Sequence, residues 1–286
     1  MELRITTISE NTAMAGGLLS EWGLSILIET KNLNILFDTG QSISAAYNTD
    51  ALGIDLSLTD KIVLSHGHFD HTGGLLDVLK KIGKKIQVLA HPDAWSPKYA
   101  LFPAMGIPRY IGIPYKKEKL ESLGADFILS KEPVWLTDHI LITGEVPMRT
   151  EYEQIDQGLF VKHGDQFLPD QLLDDRSIIL KTTKGLLVIA GCAHRGIINT
   201  LQYARELTGE ERIYAVIGGI HLFRASIEQR ERTIEAFKEM EIEKIGVSHC
   251  TGLEASSRFA HEFKEKFFFN NTGNILYQEK GADLHS

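Results

Sequence analysis

The first 40 residues are short apolar runs separated by polar turns. Residues 4–8 alternate, and residues 25–29 and 34–37 are apolar runs joined by a turn at 30–33. Such runs predict strands, here a hairpin-like meander. Asp38-Thr39-Gly40 stops the third of them. Residues 61–65 predict a buried strand that feeds directly into His66. Leu75, Leu76, Leu79 and Ile82 then recur at helical spacing, with Thr72 placed to cap that helix and Gly83 to stop it. Residues 86–90 predict the next strand.

The second half repeats one grammar three times. Residues 186–190 run into Gly191-Cys192-Ala193-His194 and then a helix carrying Ile197, Leu201 and Ala204. Residues 214–217 run into Gly218-Gly219-Ile220-His221 and a helix carrying Ile227, Ile234 and Phe237. Residues 244–247 run into Ser248-His249-Cys250-Thr251-Gly252 and a helix carrying Phe259, Phe263 and Phe267. With the strand that ends at His66, four strands deliver histidine at their carboxyl ends. Strand, loop and helix in this order are the grammar of a layered α/β-type fold. Residues 91–120 break the rhythm. Pro92, Pro97, Pro103, Pro108 and Pro114 are interleaved there with Trp95, Tyr99, Phe102, Tyr110 and Tyr115. This is either an irregular surface excursion packed on its own aromatics or a wall over a pocket. No linker composition marks a boundary. The expectation is one domain over residues 1–286, with an excursion at about 91–120.

Composition narrows the function classes. The chain has 286 residues, 43% of them apolar, enough to fold without a disulfide or a structural metal. Thirty basic against 38 acidic residues give a net charge of −8, which argues against nucleic acid as a partner. Two cysteines, Cys192 and Cys250, exclude a disulfide framework and fit a reducing compartment. No apolar run approaches about 18 residues and no basic-then-apolar leader opens the chain, so a cytoplasmic protein with no membrane partner is expected. The oligomeric state is left open. What departs from the ordinary is histidine: there are eleven, six of them at the strand ends described above.

The densest signal is Ser65-His66-Gly67-His68-Phe69-Asp70-His71. In an extended segment residues i and i+2 point to one side, so His66 and His68 can face one ion. Asp70 and His71 follow a short bend and can face a second ion beside it. Imidazole and carboxylate suit zinc, iron or manganese. Three histidines and an aspartate in six residues are hard to explain by packing. Gly67, Gly73 and Gly74 let the backbone approach closely. Arg149 and Arg195 lie near the same loops and suit a substrate phosphate or carboxylate, unless each pairs with a local glutamate. His91, His139, His163, His261 and His285 lack neighbours of this kind and read as ordinary surface or loop residues. Neither a phosphate-binding G-x-x-x-x-G-K-[ST] loop nor a G-x-S-x-G elbow occurs.

The H-x-H-x-D-H segment, between a buried strand and a Gly-Gly helix start, resembles the metallo-β-lactamase superfamily, and Asp38-Thr39-Gly40 resembles its upstream Asp motif. Trp22-Gly23-Leu24-Ser25, Ile54-Asp55-Leu56, Gly144-Glu145-Val146-Pro147, Gly191-Cys192-Ala193-His194, Gly218-Gly219-Ile220-His221-Leu222 and His249-Cys250-Thr251-Gly252 extend the likeness over the whole chain. They resemble the subgroup of the dihydropterin (ribofuranosyl)aminobenzene phosphate synthases. The resemblance implies an α+β fold, an αββα four-layer sandwich of two mixed sheets flanked by helices. It also implies two divalent ions, zinc first with iron or manganese as alternatives. His66, His68, Asp70, His71 and His249 match its ligands, and Asp38 matches the residue that supports the metal loop. Most members supply a further His where Glu145 stands here, and many an Asp after the strand that here ends Gly191-Cys192. His194 is the expected replacement ligand. Cys192, Glu145 and His221 are further candidates as ligands or as residues supporting them.

The implied activity is hydrolysis of a phosphoester or related ester of a small anionic metabolite by a metal-bound hydroxide. Asp70 would orient it or carry a proton, and His221 is an alternative proton donor. The alternative is a pterin-condensing synthase, a transferase in which the Trp95–Tyr115 aromatics and Trp22 stack on the pterin. A second alternative is a metal-binding sensor without turnover, motivated by Glu145 standing where a ligand is expected.

Overall fold

The computed structural model describes residues 3–101 and 106–278; Phe102, Pro103 and His285 lie outside the described residues. Along the chain run β1 (Leu3–Ser9), β2 (Ser25–Glu29), β3 (Asn34–Phe37), α1 (Ser44–Ala51), β4 (Lys61–Val63), α2 (Phe69–Thr72), α3 (Leu75–Ile82) and β5 (Ile86–Ala90). Then come β6 (Lys98–Leu101), β7 (Pro108–Tyr110), α4 (Lys117–Glu121), β8 (Ala125–Leu129), β9 (Val134–Thr137), β10 (Ile140–Ile142), β11 (Leu159–His163) and β12 (Gln166–Pro169). The last third holds β13 (Ser177–Thr182), β14 (Gly185–Ala190), α5 (Ile197–Thr208), β15 (Ile213–Gly219), α6 (Ile227–Glu239), β16 (Lys244–Ser248), α7 (Leu253–Phe263) and β17 (Ile275–Gln278).

Two large mixed sheets face each other. One has the order β17-β1-β2-β3-β4-β5-β8 and the other β16-β15-β14-β13-β10-β9. Each is antiparallel at one side and parallel at the other, where β3-β4-β5-β8 and β14-β15-β16 run. Alternation decides which residue faces which layer. Ile26, Ile28, Ile35 and Phe37 meet Ile178, Leu180, Leu187 and Ile189 between the sheets. Leu27 and Leu36, one position out of phase, join Leu75, Val78, Leu79 and Ile82 of α3 on the outer face. Ile179, Val188 and Ala190 likewise join Ile197 and Leu201 of α5, Ile234 and Phe237 of α6, and Phe259 of α7. The result is an αββα sandwich. Strands buried on both faces read as continuous apolar runs, and that is why residues 186–190 lack visible alternation.

Three expectations need correction. The described part of the 91–120 segment is partly regular, and Ile111 within it lines the cavity described below. β6 and β7 pair with β11 and β12 in a third, four-stranded antiparallel sheet. Its partner strand lies some 60 residues on, Leu159 opposite Ala100, so local periodicity could not reveal it. Thr72 does not cap α3: its hydroxyl donates to the His68 carbonyl at 2.9 Å, and the helix starts after Gly74. Gly83 does end it, in the left-handed region at φ 63°. Ile227 is exposed and Phe267 lies past the end of α7. No described helix is long and apolar enough to cross a membrane.

The break between α2 and α3 seats the loop before it. A Cβ on Gly73 would stand 1.9 Å from the Gln41 carbonyl oxygen and 2.6 Å from that of Phe69. Both obstacles are backbone and cannot swing aside. Gly73→Ala is therefore expected to lower stability by about 1–3 kcal/mol or more, read as a fall in the urea midpoint. A wild-type midpoint would show that this contact is not tight.

Candidate metal centre

All six strand-end histidines meet where the carboxyl ends of β4, β14, β15 and β16 converge. One buried carboxylate organises the first loop. Asp38 Oδ1 accepts from the Ser65 amide at 2.7 Å, and its Oδ2 accepts from the Ser65 hydroxyl at 2.6 Å and from His71 Nδ1 at 2.7 Å. The Thr39 amide and hydroxyl both donate to the His71 carbonyl. A second carboxylate pins the other side: Asp174 Oδ2 accepts from the Gly67 amide at 2.8 Å, and its Oδ1 accepts from the buried Lys98 at 2.9 Å. Asp38, Ala193, His221 and His249 all hold positive φ, between 46° and 59°. Left-handed backbone at non-glycine residues is costly, and its concentration here marks a site whose geometry is held by its surroundings.

Two groups of donors form. In the first, His66 Nε2 lies 2.9 Å from His68 Nδ1 and 3.2 Å from His194 Nε2. Three ring nitrogens facing one another satisfy each other poorly as hydrogen bonds. The two separations from His66 Nε2 are close to the edges, about 3.3 Å long, of a tetrahedron with metal–nitrogen arms of about 2.0–2.1 Å. Burial, reinforced by the neighbouring histidines, holds His66 and His194 well below the usual imidazole range. Burial and Lys98 push His68 down to about 3. These rings are therefore neutral, the form that ligates. In the second group Asp70 Oδ2 lies 3.4 Å from His249 Nε2 and 3.9 Å from His71 Nε2. Burial alone would raise the Asp70 carboxyl, but His71 and His249 outweigh it and hold it ionised. Burial likewise opposes charge on His71, yet Asp38 and Asp70 raise it to about 9.

Cys192 stands between the groups. Its Sγ lies 3.1 Å from His71 Nε2. Two sets of potential ligand atoms, His66–Cys192–His194 and His71–Cys192–His249, each lie within 4.8 Å of one another, and Cys192 with His221 and Cys250 makes a third. Neither ring nitrogen of His221 meets a nitrogen or oxygen partner; burial opposes charge on the ring, yet the Cys250 thiol beside it raises its pKa. Burial and Cys250 push the Cys192 thiol up. Burial would do the same to Cys250, but Cys192, His249 and His221 hold it down. A cavity of about 410 Å³ opens over these residues, with Trp22, Phe69, Ile111, Leu159 and Phe223 on its walls and Arg224 among its lining.

The expected site residues divide accordingly. His66, His68, Asp70, His71, His194, His249 and Cys192 come together, Asp38 lies directly behind them and His221 beside them. Glu145 does not join: it pairs with His91 at 3.2 Å and Lys131 at 3.7 Å. His91 is correspondingly no surface residue, being 1% exposed. Arg149 pairs with Glu206, and Arg195 donates to the carbonyls of Val146 and Gln171, so neither guanidinium lines the cavity. The arginine that does is Arg224, 3.2 Å from Asp156. Trp95 packs on Phe127, and Tyr99 on Tyr110 and Phe167, away from the cavity; among the described residues only Trp22 of the expected stacking aromatics lines it.

Several supporting residues were not anticipated. Asn11 Oδ1 accepts from His249 Nδ1 at 2.9 Å, which leaves Nε2 facing Asp70. Asp174-Asp175-Arg176 runs behind the cluster. The buried Arg176 donates to the carbonyls of Leu64 and Leu89, and Asp175 accepts from the Arg195 amide. Three consecutive charges just before an apolar strand were the available signal.

Comparison with known proteins shows the family and the fold. The family model of the metallo-β-lactamase superfamily matches residues 23–214. The 7,8-dihydropterin-6-methyl-4-(β-D-ribofuranosyl)-aminobenzene-5′-phosphate synthase of Methanocaldococcus jannaschii is 34% identical over 283 residues, 96% of each chain. The crystal structure of Tm1679, described as a metal-dependent hydrolase of the β-lactamase superfamily, is 30% identical, covers 98% of this chain and 100% of its own, and superposes with a TM-score of 0.82. A diphosphatase of the PhnP family, 12% identical with a TM-score of 0.55 over 97% of this chain and 98% of its own, shares the fold.

Two expectations test the buried charges. Lys98 lies 2.8 Å from Asp170 and 2.9 Å from Asp174. Lys98→Met leaves both carboxylates buried without a cation and should cost about 3–5 kcal/mol in urea unfolding, recovered in part by adding Asp170→Asn and Asp174→Asn. Burial raises Asp175 from 3.8 to about 7 in the folded chain. Between those values the folded state holds a proton that the unfolded state has released, so wild-type stability falls as pH rises. Asp175→Asn should gain on the wild type from pH 4 to 7 and hold that gain above 7. A difference independent of pH would sink the assignment.

Proposed function

The chain belongs to the metallo-β-lactamase superfamily, and from that premise we propose a metal-dependent enzyme that condenses a small anionic pterin-like substrate with an aromatic amine. The observation that carries the reading is the pairing of two donor groups with a largely apolar cavity wall. His66 Nε2, His68 Nδ1 and His194 Nε2 would hold one divalent ion; Asp70, His71 Nε2 and His249 Nε2 would hold the other. Imidazole and thiolate donors favour zinc or iron over manganese. Bound there, the ions would supply electrophilic activation of a phosphate or diphosphate leaving group.

The chain's own residues do the rest. Trp22, Phe69, Ile111 and Phe223 offer flat or apolar surface to a ring system and exclude water from it. Arg224, at the same wall, suits an anionic group. His221 lines the cavity beside the Cys250 thiol, which against burial raises its pKa, and its ring can accept a proton from an attacking amine. The M. jannaschii relative is named for a product that joins a pterin to an aminobenzene riboside.

Hydrolysis of a phosphoester is the second reading, supported by the description of Tm1679. The apolar wall speaks for condensation, because an attacking amine must be held where water is scarce. The sensor reading loses its motive, since His194 stands 3.2 Å from His66 where Glu145 is absent. Metal-loaded protein should form a condensed product only when both a pterin diphosphate and an aminobenzene acceptor are present. Asp70→Asn should lower that rate by about 10²–10⁴-fold. Phosphate release without acceptor would favour hydrolysis; two bound metals with neither product would reject both readings.

A further inference from the structure

We propose that a polar slot beside the donor cavity is a sugar subsite, which takes the hydroxylated tail of the amine acceptor while its ring stays in the cavity. This rests on the condensation reading above and places the acceptor's second half. The slot, about 440 Å³, lies between residues 151–157 and the start of α6, and shares Asp156, His221 and Arg224 with the donor cavity. Its walls are fixed from behind. Glu153 accepts from the Ile198 and Asn199 amides at 2.8 and 2.9 Å, which anchors the first wall on the start of α5. Arg230 donates to the carbonyls of Leu222 and Phe223 at 3.1 and 3.2 Å, which anchors the second. The walls are joined at two points. Arg224 lies 3.2 Å from Asp156, and the Arg232 guanidinium stacks 4.2 Å from the centre of the Tyr152 ring.

The lining selects the ligand. Gln154, Gln157 and Gln229 line the slot, and their side-chain amides make no hydrogen bond to the described residues. An amide both donates and accepts, and so does a hydroxyl, so a polyol can meet each of them in either sense. A flat ring is poorly served, since Arg232 already covers the Tyr152 ring. An anion is opposed, because Glu151, Asp156 and Glu228 outnumber Arg224 and Arg232. The neighbouring cavity is the reverse, with Trp22, Phe69, Ile111 and Phe223 on its walls. A ligand that fills both has an apolar ring at one end and hydroxyls at the other, joined past Arg224 and Asp156.

The test is equilibrium binding to the metal-loaded full chain, with the pterin withheld so that nothing turns over. The probes are aminobenzene, an aminobenzene riboside and the 5′-phosphate of that riboside. Wild type should bind the riboside about tenfold more tightly than aminobenzene, the worth of one to three hydrogen bonds. Gln154→Ala, Gln157→Ala and Gln229→Ala together should remove that advantage and leave aminobenzene binding as it was. Should the triple variant fold poorly, the bulkier Gln157→Trp alone decides by the same ratio. Equal affinities in wild type overturn the subsite. An advantage that survives these substitutions puts the sugar elsewhere and overturns it too. A preference that appears only with the phosphate makes the slot an anion site and overturns the sugar assignment. Failure of the condensation reading looks different: the riboside keeps its advantage, yet adding a pterin diphosphate gives no product.

Discussion

The candidate centre depends on one buried carboxylate. Asp38 is fully buried, sits in left-handed backbone, and accepts three hydrogen bonds, from the Ser65 amide, the Ser65 hydroxyl and His71 Nδ1. Removing such a group from water is costly unless every lone pair is used, and here the partners are the two ends of the histidine loop. The exchange fixes His71 with Nε2 facing inward. It also fixes Ser65, whose hydroxyl lies 2.8 Å from His66 Nδ1 and so directs His66 Nε2 inward as well. Asp38 thus orients one donor in each group while touching no candidate ion position itself.

The same device recurs from other directions. Asp174 holds the Gly67 amide between the two loop histidines and is itself neutralised by Lys98 on β6. Asn11, just past β1, holds His249. The third sheet is therefore more than a surface addition. Lys98 reaches from it to the loop through Asp174, and the Ile111 carbonyl accepts from the Phe69 amide at 2.8 Å. Its small core of Ala100, Leu159 and Leu172 packs against Phe69. Cavity wall and donor loop are built from the same contacts, so a change in one disturbs the other.

Much of this was legible in the sequence. The strands that end in histidine were, because period and composition are local and each loop follows its strand at once. Asp38 was, through its motif. What stayed hidden depends on contacts distant along the chain. β6 pairs with β7 nearby but meets its other neighbour, β11, at residues 159–161, and Lys98 finds its carboxylates at 170 and 174. Arg149 and Arg195 were placed by proximity in sequence to loops of the site, but Glu206 and two backbone carbonyls take their guanidiniums. Arg224 sits three residues past His221 and carried the same kind of signal, with nothing local to rank it above the others.

The hidden third sheet also bears on the chemistry. Hydrophilic walls would leave a metal pair open to water, and hydrolysis would then be the default outcome for any activated ester. Here Ile111 and Leu159, from the segment that joins the third sheet and from the sheet itself, stand with Trp22, Phe69 and Phe223 around the donor groups. Low polarity would strengthen the pull of ions bound there on an anionic leaving group and reduce competition from solvent. An acceptor that must displace such a group gains most from this arrangement when it is itself flat and largely apolar. Under the proposed condensation, the third sheet rather than the histidine loop is thus where a choice between water and an aromatic amine would be made.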